Sequence, residues 1–234
     1  MTFILIFGDD GCGKSIQARS IAEVMEEPIH LSFAVKNRDL YKDSVIESKE
    51  LVILNEDYEV NPYKTMDAFH AEVRRIVKDN INKCVVIDEV TYFRAWGQPV
   101  SLEWYNHKFN KNSDKIGKDN LLAWAYLNSI TYGKLTTLAN WAASNNAILI
   151  AISSLKEIYL DGEGTGRFEC SSTRDERKLS DIRVRLEKNG AAGKGYFATF
   201  EKYQDNHHSP DNIDTKKIDK DGLLKELIAR CVIK

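Results

Sequence analysis

The sequence predicts an α/β domain in which helices cover both faces of a mostly parallel sheet. Short apolar runs suited to buried strands alternate along the chain with segments whose apolar residues recur every three or four positions. A glycine-rich segment, residues 8–15, joins the first apolar run to the first helical segment. Near the end of the chain, Asn189-Gly190 lies between two strand-like runs, which is typical of an antiparallel hairpin. The predicted fold class is therefore a three-layer α/β sandwich that ends in a hairpin.

Each predicted element follows from its own pattern. Strands are predicted where apolar residues run together, at residues 3–7, 28–33, 50–54, 84–87 and 147–152. Helices are predicted where apolar residues keep a spacing of three or four, at residues 14–26, 65–78 and 120–144. Pro28 is expected to end the first helix. The hairpin is formed by residues 182–186 and 195–200, and a flexible loop is expected at residues 161–166.

The C-terminal part has a different composition. Residues 205–221 are polar and are expected to form a linker, whereas Leu223, Leu224 and Leu227 lie on one stripe of a predicted helix at residues 222–234. The apolar face of this helix has two candidate partners, the core of the same chain or a neighbouring subunit. We therefore predict a core at residues 1–204 and a linker with an amphipathic helix at residues 205–234.

Composition narrows the class of protein. The 234 residues, 43% of them apolar, are enough for one core with a small appendage. A formal net charge of −2 gives a polyanion no overall attraction, so nucleic-acid binding would need local basic patches. The four cysteines form no CxxC pair, no leader peptide is evident, and no apolar stretch approaches the ~20 residues of a membrane span. We expect a cytoplasmic protein that does not bind membranes.

The segment Gly8-Asp-Asp-Gly-Cys-Gly-Lys-Ser15 has the spacing of a phosphate-binding loop between a strand and a helix. In such a loop the glycines let backbone N–H groups face phosphate oxygens, the lysine neutralises the terminal phosphates, and the serine hydroxyl joins the Mg²⁺ shell. The motif predicts that the chain binds a nucleoside triphosphate. The residues expected to hold it are Asp9, Asp10, Gly11, Cys12, Gly13, Lys14, Ser15 and Ile16.

A second motif, Asp88-Glu89, ends the apolar run at residues 84–87. A carboxylate at the end of a buried strand beside the phosphate loop can reach Mg²⁺, so we predict Ser15 and Asp88 as the metal-binding pair. Glu89 is predicted to polarise the attacking water, which favours hydrolysis over kinase chemistry. Ser153 and Ser154 end another buried strand, where either hydroxyl could sense the γ-phosphate, and we select Ser153. Lys14, Glu89 and Ser153 are thus the predicted catalytic residues.

Residues 92–118 combine aromatic and basic side chains in a segment predicted to be a long loop. Aromatic faces stack on unpaired bases while lysines follow the phosphates, so the segment is a candidate single-strand-binding loop. The alternative is that Phe93 and Trp96 simply pack under the loop. The candidate DNA-binding residues are Arg94, Trp96, Trp104, Tyr105, Lys108 and Lys111.

Four basic residues are candidates for a finger that acts on the nucleotide of a neighbouring subunit, where a cation would stabilise charge that develops during phosphoryl transfer. They are Arg167, Arg174, Lys188 and Lys194. Residues 162–178, which contain two of them, form a weaker candidate for DNA contact because their acidic residues cancel the charge. His70, His107, His207 and His208 have no metal-ligand spacing with the cysteines and are predicted to lie on the surface.

Together these features resemble the RecA-like group of P-loop ATPases, in particular the minimal members of phages and archaeal viruses linked to single-strand DNA annealing and recombination. The matching features are residues 8–15, the Asp88-Glu89 pair, the strand ending at Ser153 and the closing hairpin, which span most of residues 1–204. The resemblance implies a three-layer P-loop NTPase fold, ATP and Mg²⁺ as cofactors, and hydrolysis of ATP. It further implies single-stranded DNA as a ligand, a homo-oligomeric ring or filament, the host cytoplasm if the chain is viral, and a nuclease or single-strand-binding protein as partner.

Two features depart from the RecA-like pattern. The catalytic glutamate of these proteins usually follows the second strand, where this chain has Ala34-Val35-Lys36 and Glu56 is the nearest candidate, so Glu89 is predicted in its place. The first predicted strand begins at residue 3, so the segment through which recombinases join into filaments is not expected, and the C-terminal stripe is the expected substitute.

Several functions compete on this basis. The leading hypothesis is a DNA-stimulated ATPase that assembles through its ATP site and acts on single strands in annealing, recombination or replication. A genome-packaging or helicase-type motor is the alternative among motors, and a small-molecule kinase with residues 162–178 as its lid is a different class. A nucleotide-gated binding module with little hydrolysis is the fourth.

Overall fold

The computed structural model describes residues 2–33, 38–41, 43–160, 163–171, 179–188, 196–203, 214–218, 222–229 and 232–233. Nine strands form its sheet within these residues: β1 (Thr2–Gly8), β2 (Pro28–Ser32), β3 (Glu47–Glu50), β4 (Cys84–Asp88), β5 (Ile148–Leu160), β6 (Glu163–Cys170), β7 (Ile182–Lys188), β8 (Tyr196–Tyr203) and β9 (Asp214–Ile218). Their order across the sheet is β3-β2-β4-β5-β1-β7-β8-β9, with β6 paired to β5 alone.

The sheet is mostly parallel. The six neighbouring strands β3-β2-β4-β5-β1-β7 pair in parallel, whereas β8, β9 and β6 are antiparallel to their neighbours. Strands β7 and β8 are the predicted C-terminal hairpin. Seven α-helices and a 3₁₀ helix at Lys118–Asn120 accompany the sheet in the described part of the chain. The α-helices are α1 (Lys14–Ala22), α2 (Arg38–Tyr41), α3 (Pro62–Asp79), α4 (Tyr92–Phe109), α5 (Leu121–Ile130), α6 (Tyr132–Ser144) and α7 (Gly222–Ala229).

Two hydrophobic clusters lie on opposite faces of the sheet. On one face, Leu5 and Ile87 belong to a cluster with Phe69 of α3, Phe93 of α4 and Leu138 of α6. Side chains alternate along each strand, so the next residues, Ile6 and Val86, point to the other face. There they belong to a second cluster with Ile21 of α1 and Leu227 of α7. The prediction of a three-layer α/β fold with a mostly parallel sheet and a C-terminal antiparallel hairpin is confirmed.

Strand β5 lies between the strand that precedes the phosphate loop and the strand that ends in Asp88. Gly8 is opposite Ser154 and Asp88 is opposite Ile152, so the three strands reach the same edge of the sheet together. Beyond that edge β5 continues and pairs with β6 as a two-stranded ribbon. The sheet therefore brings the two sequence motifs and the end of β5 to one place.

Three predicted elements differ from the structure. The third strand is Glu47–Glu50 instead of residues 50–54, because an edge strand can be polar and need not follow an apolar run. The helix predicted at residues 120–144 is two helices that meet at Thr131, whose hydroxyl donates to the carbonyl of Leu127 over 2.7 Å. The loop predicted at residues 161–166 includes the first four residues of β6, which finds its partner in β5.

Three further differences concern helices and the linker. Residues 92–109 of the predicted binding loop form α4, an 18-residue helix with Pro99 inside it. The first helix ends at Ala22, four residues earlier than predicted. Residues 214–218, within the predicted linker, form β9 at the edge of the sheet. In the described part of the chain, no helix has both the length and the apolar character required to span a bilayer.

Candidate functional site

The phosphate loop between β1 and α1 depends on its glycines. Gly11 and Gly13 have φ angles of +74° and +87°, in the left-handed region that favours glycine. A Cβ on Gly8 would lie 2.3 Å from the carbonyl oxygen of Leu186 and 2.6 Å from Sγ of Cys12, so a side chain does not fit there. Asp9, Asp10 and Gly11 are exposed, as is Ile16 in the first turn of α1, whereas Cys12 is buried. Backbone, not side chains, thus shapes the loop.

Lys14 folds back over this loop. Its Nζ donates to the carbonyl oxygens of Gly8 and Asp9 over 2.8 and 2.9 Å, and only 8% of the residue is exposed. The loop carbonyls thus hold the Lys14 ammonium group close to the start of α1. The N–H groups in the first turn of a helix have no partner within the helix. The loop and Lys14 therefore fit a polyphosphate, because the loop supplies N–H donors and Lys14 supplies positive charge at the same place.

Ser15 and Asp88 are in direct contact. Ser15 Oγ donates to Oδ2 of Asp88 over 2.8 Å, which joins the first turn of α1 to the end of β4. A hydroxyl and a carboxylate are the hard oxygen ligands that Mg²⁺ prefers. The predicted metal-binding pair is thus brought together by the fold. Among the described residues, no group of three His, Cys, Asp or Glu side chains is arranged to hold a metal.

Glu89 belongs to a hydrogen-bond network at the same edge. Its Oε1 accepts from the hydroxyl of Ser154 and, over 2.7 Å, from Oγ1 of Thr91. Thr91 Oγ1 also lies 3.2 Å from Oγ of Ser153 and accepts from the backbone N–H of Ser154 over 3.0 Å. Only 9% of Glu89 is exposed. The carboxylate is therefore oriented by two hydroxyls, whereas Glu56, the other candidate, is exposed in a turn.

The network includes both serines at the end of the predicted strand. The hydroxyl that contacts Glu89 directly belongs to Ser154. Ser153 is fully buried and reaches Glu89 only through Thr91. Thr91 was not recognised in the sequence, although a hydroxyl residue two positions after a candidate catalytic carboxylate is a usable signal.

His30 is the other residue that the sequence analysis missed. It lies in the middle of β2 with no exposed surface, and its Nε2 is 3.7 Å from Oδ2 of Asp88. Its ring stacks on Tyr41 at a centroid distance of 3.8 Å. Burial and the nearby Asp88 carboxylate hold the pKa of Tyr41 well above its ordinary value. A polar residue inside an otherwise apolar strand is a signal, because a buried imidazole needs partners.

The first turn of α4 borders the site. Burial raises the pKa of the Tyr92 phenol, and the carboxylates of Glu89, Asp10 and Asp88 raise it further. Tyr92 is 41% exposed and stacks on Trp96 at a centroid distance of 5.1 Å. The helix that carries the DNA-binding candidates thus begins beside the carboxylates of the site.

The candidate DNA-binding residues have different environments. Arg94 is exposed and lies over the ring of Trp124, 4.4 Å from its centroid. Trp96 is half-buried and packs against Phe33, as the alternative of aromatic packing expected, and Tyr105 is buried. Lys111 is exposed beyond the end of α4. The prediction that these residues lie on a loop is wrong for the five from Arg94 to Lys108, because α4 places them along a helix, whereas Lys111 follows the helix.

Trp104 and Lys108 line an open groove of about 520 Å³ between α3, α4 and α5. Trp104 stacks on Tyr126 at a centroid distance of 4.2 Å, and Lys108 Nζ lies 4.7 Å from the ring centroid of Trp104. Across the groove, burial together with a hydrogen bond and the negative charge of Glu103 raises the pKa of Tyr63 to about 12. The Trp104 ring is therefore already engaged within the protein.

The four finger candidates and the remaining histidines are only partly described. Lys188 is exposed at the end of β7, two residues beyond the position that pairs with Gly8. Arg167 lies in β6. Arg174 and Lys194 lie outside the described residues, as do His207 and His208. His70 is half-buried: its Nε2 lies 2.7 Å from the carbonyl oxygen of Ile130, and desolvation lowers its pKa.

Comparisons with known proteins assign no family. No protein-family model matches the sequence, and no curated protein matches it. Among solved structures, the chain is similar to the crystal structure of the RadB recombinase, with a TM-score of 0.49 and 12% sequence identity over 94% of this chain and 89% of that chain. Function is therefore inferred from the site itself.

Proposed function

We propose that the chain is an ATP-hydrolysing enzyme of the RecA-like type, which acts as an oligomer on single-stranded DNA in annealing, recombination or replication. The observation that carries the proposal is the meeting of Lys14, the Ser15–Asp88 pair and Glu89 at one edge of the sheet. This set contains a phosphate clamp, a metal-binding pair and a candidate base. Those are the parts that phosphoryl transfer to water requires.

Each residue has a distinct role in the proposed reaction. The loop N–H groups and Lys14 would bind the phosphates of ATP, and Ser15 and Asp88 would hold Mg²⁺, which would neutralise phosphate charge. Glu89 accepts a proton from the attacking water. The hydroxyls of Thr91 and Ser154 orient its carboxylate. Because Ser154 contacts Glu89 directly, we propose Ser154 in place of Ser153 as the γ-phosphate sensor.

Binding of single-stranded DNA is proposed for the exposed surface of α4 and the residues that follow it. Arg94, Lys108 and Lys111 supply exposed cations along this surface, and the stacked pair of Tyr92 and Trp96 supplies an aromatic face next to Glu89. Since α4 begins three residues after the proposed base, DNA bound there would lie close to the groups that hydrolyse ATP. Tyr105 is buried and is a structural residue in this proposal.

Oligomerisation is proposed because charge that develops on the γ-phosphate is usually stabilised by a further cation. Lys188 ends the strand that pairs with the start of the phosphate loop, and it is exposed. It therefore remains a finger candidate, together with Arg167, Arg174 and Lys194.

The test is phosphate release from ATP with no DNA, with single-stranded DNA and with duplex. We expect single strands to stimulate the wild type, and Lys111→Ala and Trp96→Ala to lose stimulation while basal turnover remains. Lys78→Ala, an exposed lysine at the far end of α3, is the matched control and should keep full stimulation. Turnover indifferent to DNA would overturn the DNA proposal, and stimulation by duplex with translocation or unwinding would indicate a packaging or helicase motor instead.

A further inference from the structure

The imidazole of His30 lies directly behind the proposed metal-binding pair. His30 occupies the centre of β2, next to β4, and has no exposed surface. Its Nε2 is 3.7 Å from Oδ2 of Asp88, the same oxygen that accepts the hydroxyl proton of Ser15. Ser15 and His30 thus approach one carboxylate oxygen from two different elements of the fold.

The second ring nitrogen defines the orientation of the imidazole. Nδ1 of His30 lies 2.9 Å from Oγ of Ser48 on β3. If the Ser48 hydroxyl donates to Nδ1, the proton of a neutral imidazole is on Nε2 and faces Asp88. The opposite tautomer would direct a lone pair at a buried carboxylate, which is repulsive. We assign the Nε2–H tautomer on this ground.

Tyr41 fixes the plane of the ring and extends the contact to the phosphate loop helix. The two rings stack with an interplanar angle of 16°, and the Tyr41 hydroxyl donates to the carbonyl oxygen of Ser15 over 3.4 Å. The imidazole is therefore held on one side by Ser48 and on one face by Tyr41. Both supports leave Nε2 directed at Asp88.

Nε2 of His30 has no hydrogen-bond partner among the residues that the structure describes. Leaving a buried N–H without a partner is destabilising, and packing alone would be served better by an apolar residue. A distance of 3.7 Å is too long for a hydrogen bond, but in a buried site the attraction of an N–H group for a carboxylate is stronger than in water. The attraction of its Nε2–H group for Asp88 thus accounts for a histidine at this buried position.

We propose that His30 is a positioning residue that orients the Asp88 carboxylate toward Ser15, so that the Ser15 hydroxyl and the Asp88 carboxylate are both placed for one Mg²⁺. The inference rests on the proposed binding of Mg²⁺ and ATP. His30 takes no part in the proton transfer assigned to Glu89. Outer residues of this kind typically change metal affinity by about 10- to 100-fold when they are replaced.

The test measures the Mg²⁺ concentration that half-saturates binding of fluorescent N-methylanthraniloyl ATP. His30→Leu removes the donor, whereas His30→Gln keeps an amide N–H near the position of Nε2. We expect the Mg²⁺ midpoint to rise about 10- to 100-fold in His30→Leu and by less than tenfold in His30→Gln. Metal-free affinity for the nucleotide should not change. His70→Leu, which replaces the half-buried histidine of α3, is the matched control and should keep the wild-type midpoint.

Two further readouts separate positioning from packing. Paramagnetic resonance of free Mn²⁺ measures metal binding without turnover, and thermal unfolding of the metal-free variants measures packing. A His30→Leu midpoint within twofold of the wild type would overturn the proposal. The proposal would also be overturned if His30→Leu and His30→Gln had the same Mg²⁺ midpoint and the same loss of thermal stability. A different result would contradict the proposed function itself: no binding of the nucleotide with Mg²⁺ by the wild type, or equal binding of the nucleotide by Lys14→Ala.

Discussion

The hydroxyl of Ser154 donates to Oε1 of Glu89, and this contact joins the middle strand of the site to the residue that follows β4. Ser154 also pairs in register with Gly8, the first residue of the phosphate loop. Its carbonyl oxygen accepts from the N–H of Ser171 over 2.8 Å, at the base of the β5–β6 ribbon. One residue therefore connects the phosphate loop, the candidate base and the ribbon that projects beyond the sheet.

Thr91 is expected to matter for turnover and not for nucleotide binding. Thr91→Val removes the hydroxyl that donates to Glu89 and accepts from the N–H of Ser154, so the carboxylate loses one of its two orienting donors. We expect kcat to fall about tenfold, equivalent to roughly 1.4 kcal/mol, with nucleotide affinity unchanged. Thr137→Val on the exposed side of α6 is the control and should keep the wild-type rate. An unchanged kcat in Thr91→Val would contradict the role of this network.

Gly8→Ala is expected to disturb the start of the phosphate loop. The added methyl would lie 2.3 Å from the carbonyl oxygen of Leu186, and backbone of the neighbouring strand cannot move away cheaply. We expect the free energy of unfolding to fall by about 1–3 kcal/mol, measured by urea denaturation, together with weaker nucleotide binding. At Gly117 the methyl would meet no atom within 4 Å, so Gly117→Ala should be nearly neutral. Equal stability of the two variants would contradict the packing described for Gly8.

Glu72 on α3 gives a stability effect that depends on pH. Burial alone would raise its pKa, but hydrogen bonds from Arg75 and Lys49, over 2.8 and 2.9 Å, outweigh burial and lower the pKa below its ordinary value of 4.5. The ion pairs therefore stabilise the folded chain above that pH, and the stabilisation is lost as the pH falls through the lowered pKa.

Glu72→Gln should consequently lower the free energy of unfolding at pH 7 by about 1 kcal/mol or less. The difference from the wild type should disappear at the acidic end of a pH series of denaturant titrations. Glu56→Gln removes the same charge from an exposed turn and serves as the control. A Glu72→Gln defect that persists unchanged in acid would show that the ion pairs are not its cause.

Much of the site could be predicted from the sequence because its signals are local. The glycines of residues 8–15 are required by backbone geometry, and Asp88-Glu89 follows a run that is apolar on both faces of a buried strand. Helix α3 was likewise predictable, since five buried residues recur at helical spacing and Asn61 caps its start by accepting from the N–H of Lys64. These features need no knowledge of distant contacts.

The elements that escaped prediction depend on distant partners. In α4, Gly97 and Pro99 look like helix breakers. A Cβ at Gly97 would lie 2.6 Å from Cδ1 of Leu127, so the glycine permits the close packing of α4 on α5. Strand β6 forms only because β5 extends beyond the sheet, and its own sequence contains Gly164 and Gly166. The role of His30 likewise emerges only when β2 lies beside β4.

The most direct test of the proposed enzyme is ATP hydrolysis by Glu89→Gln, measured as phosphate release at saturating ATP and Mg²⁺ beside nucleotide binding. We expect the rate to fall by about 100-fold or more while binding stays at the wild-type level, because only the acceptor of the water proton is removed. Glu56→Gln should hydrolyse ATP like the wild type. Wild-type hydrolysis by Glu89→Gln, or its loss in Glu56→Gln instead, would contradict the assignment of Glu89 as the base.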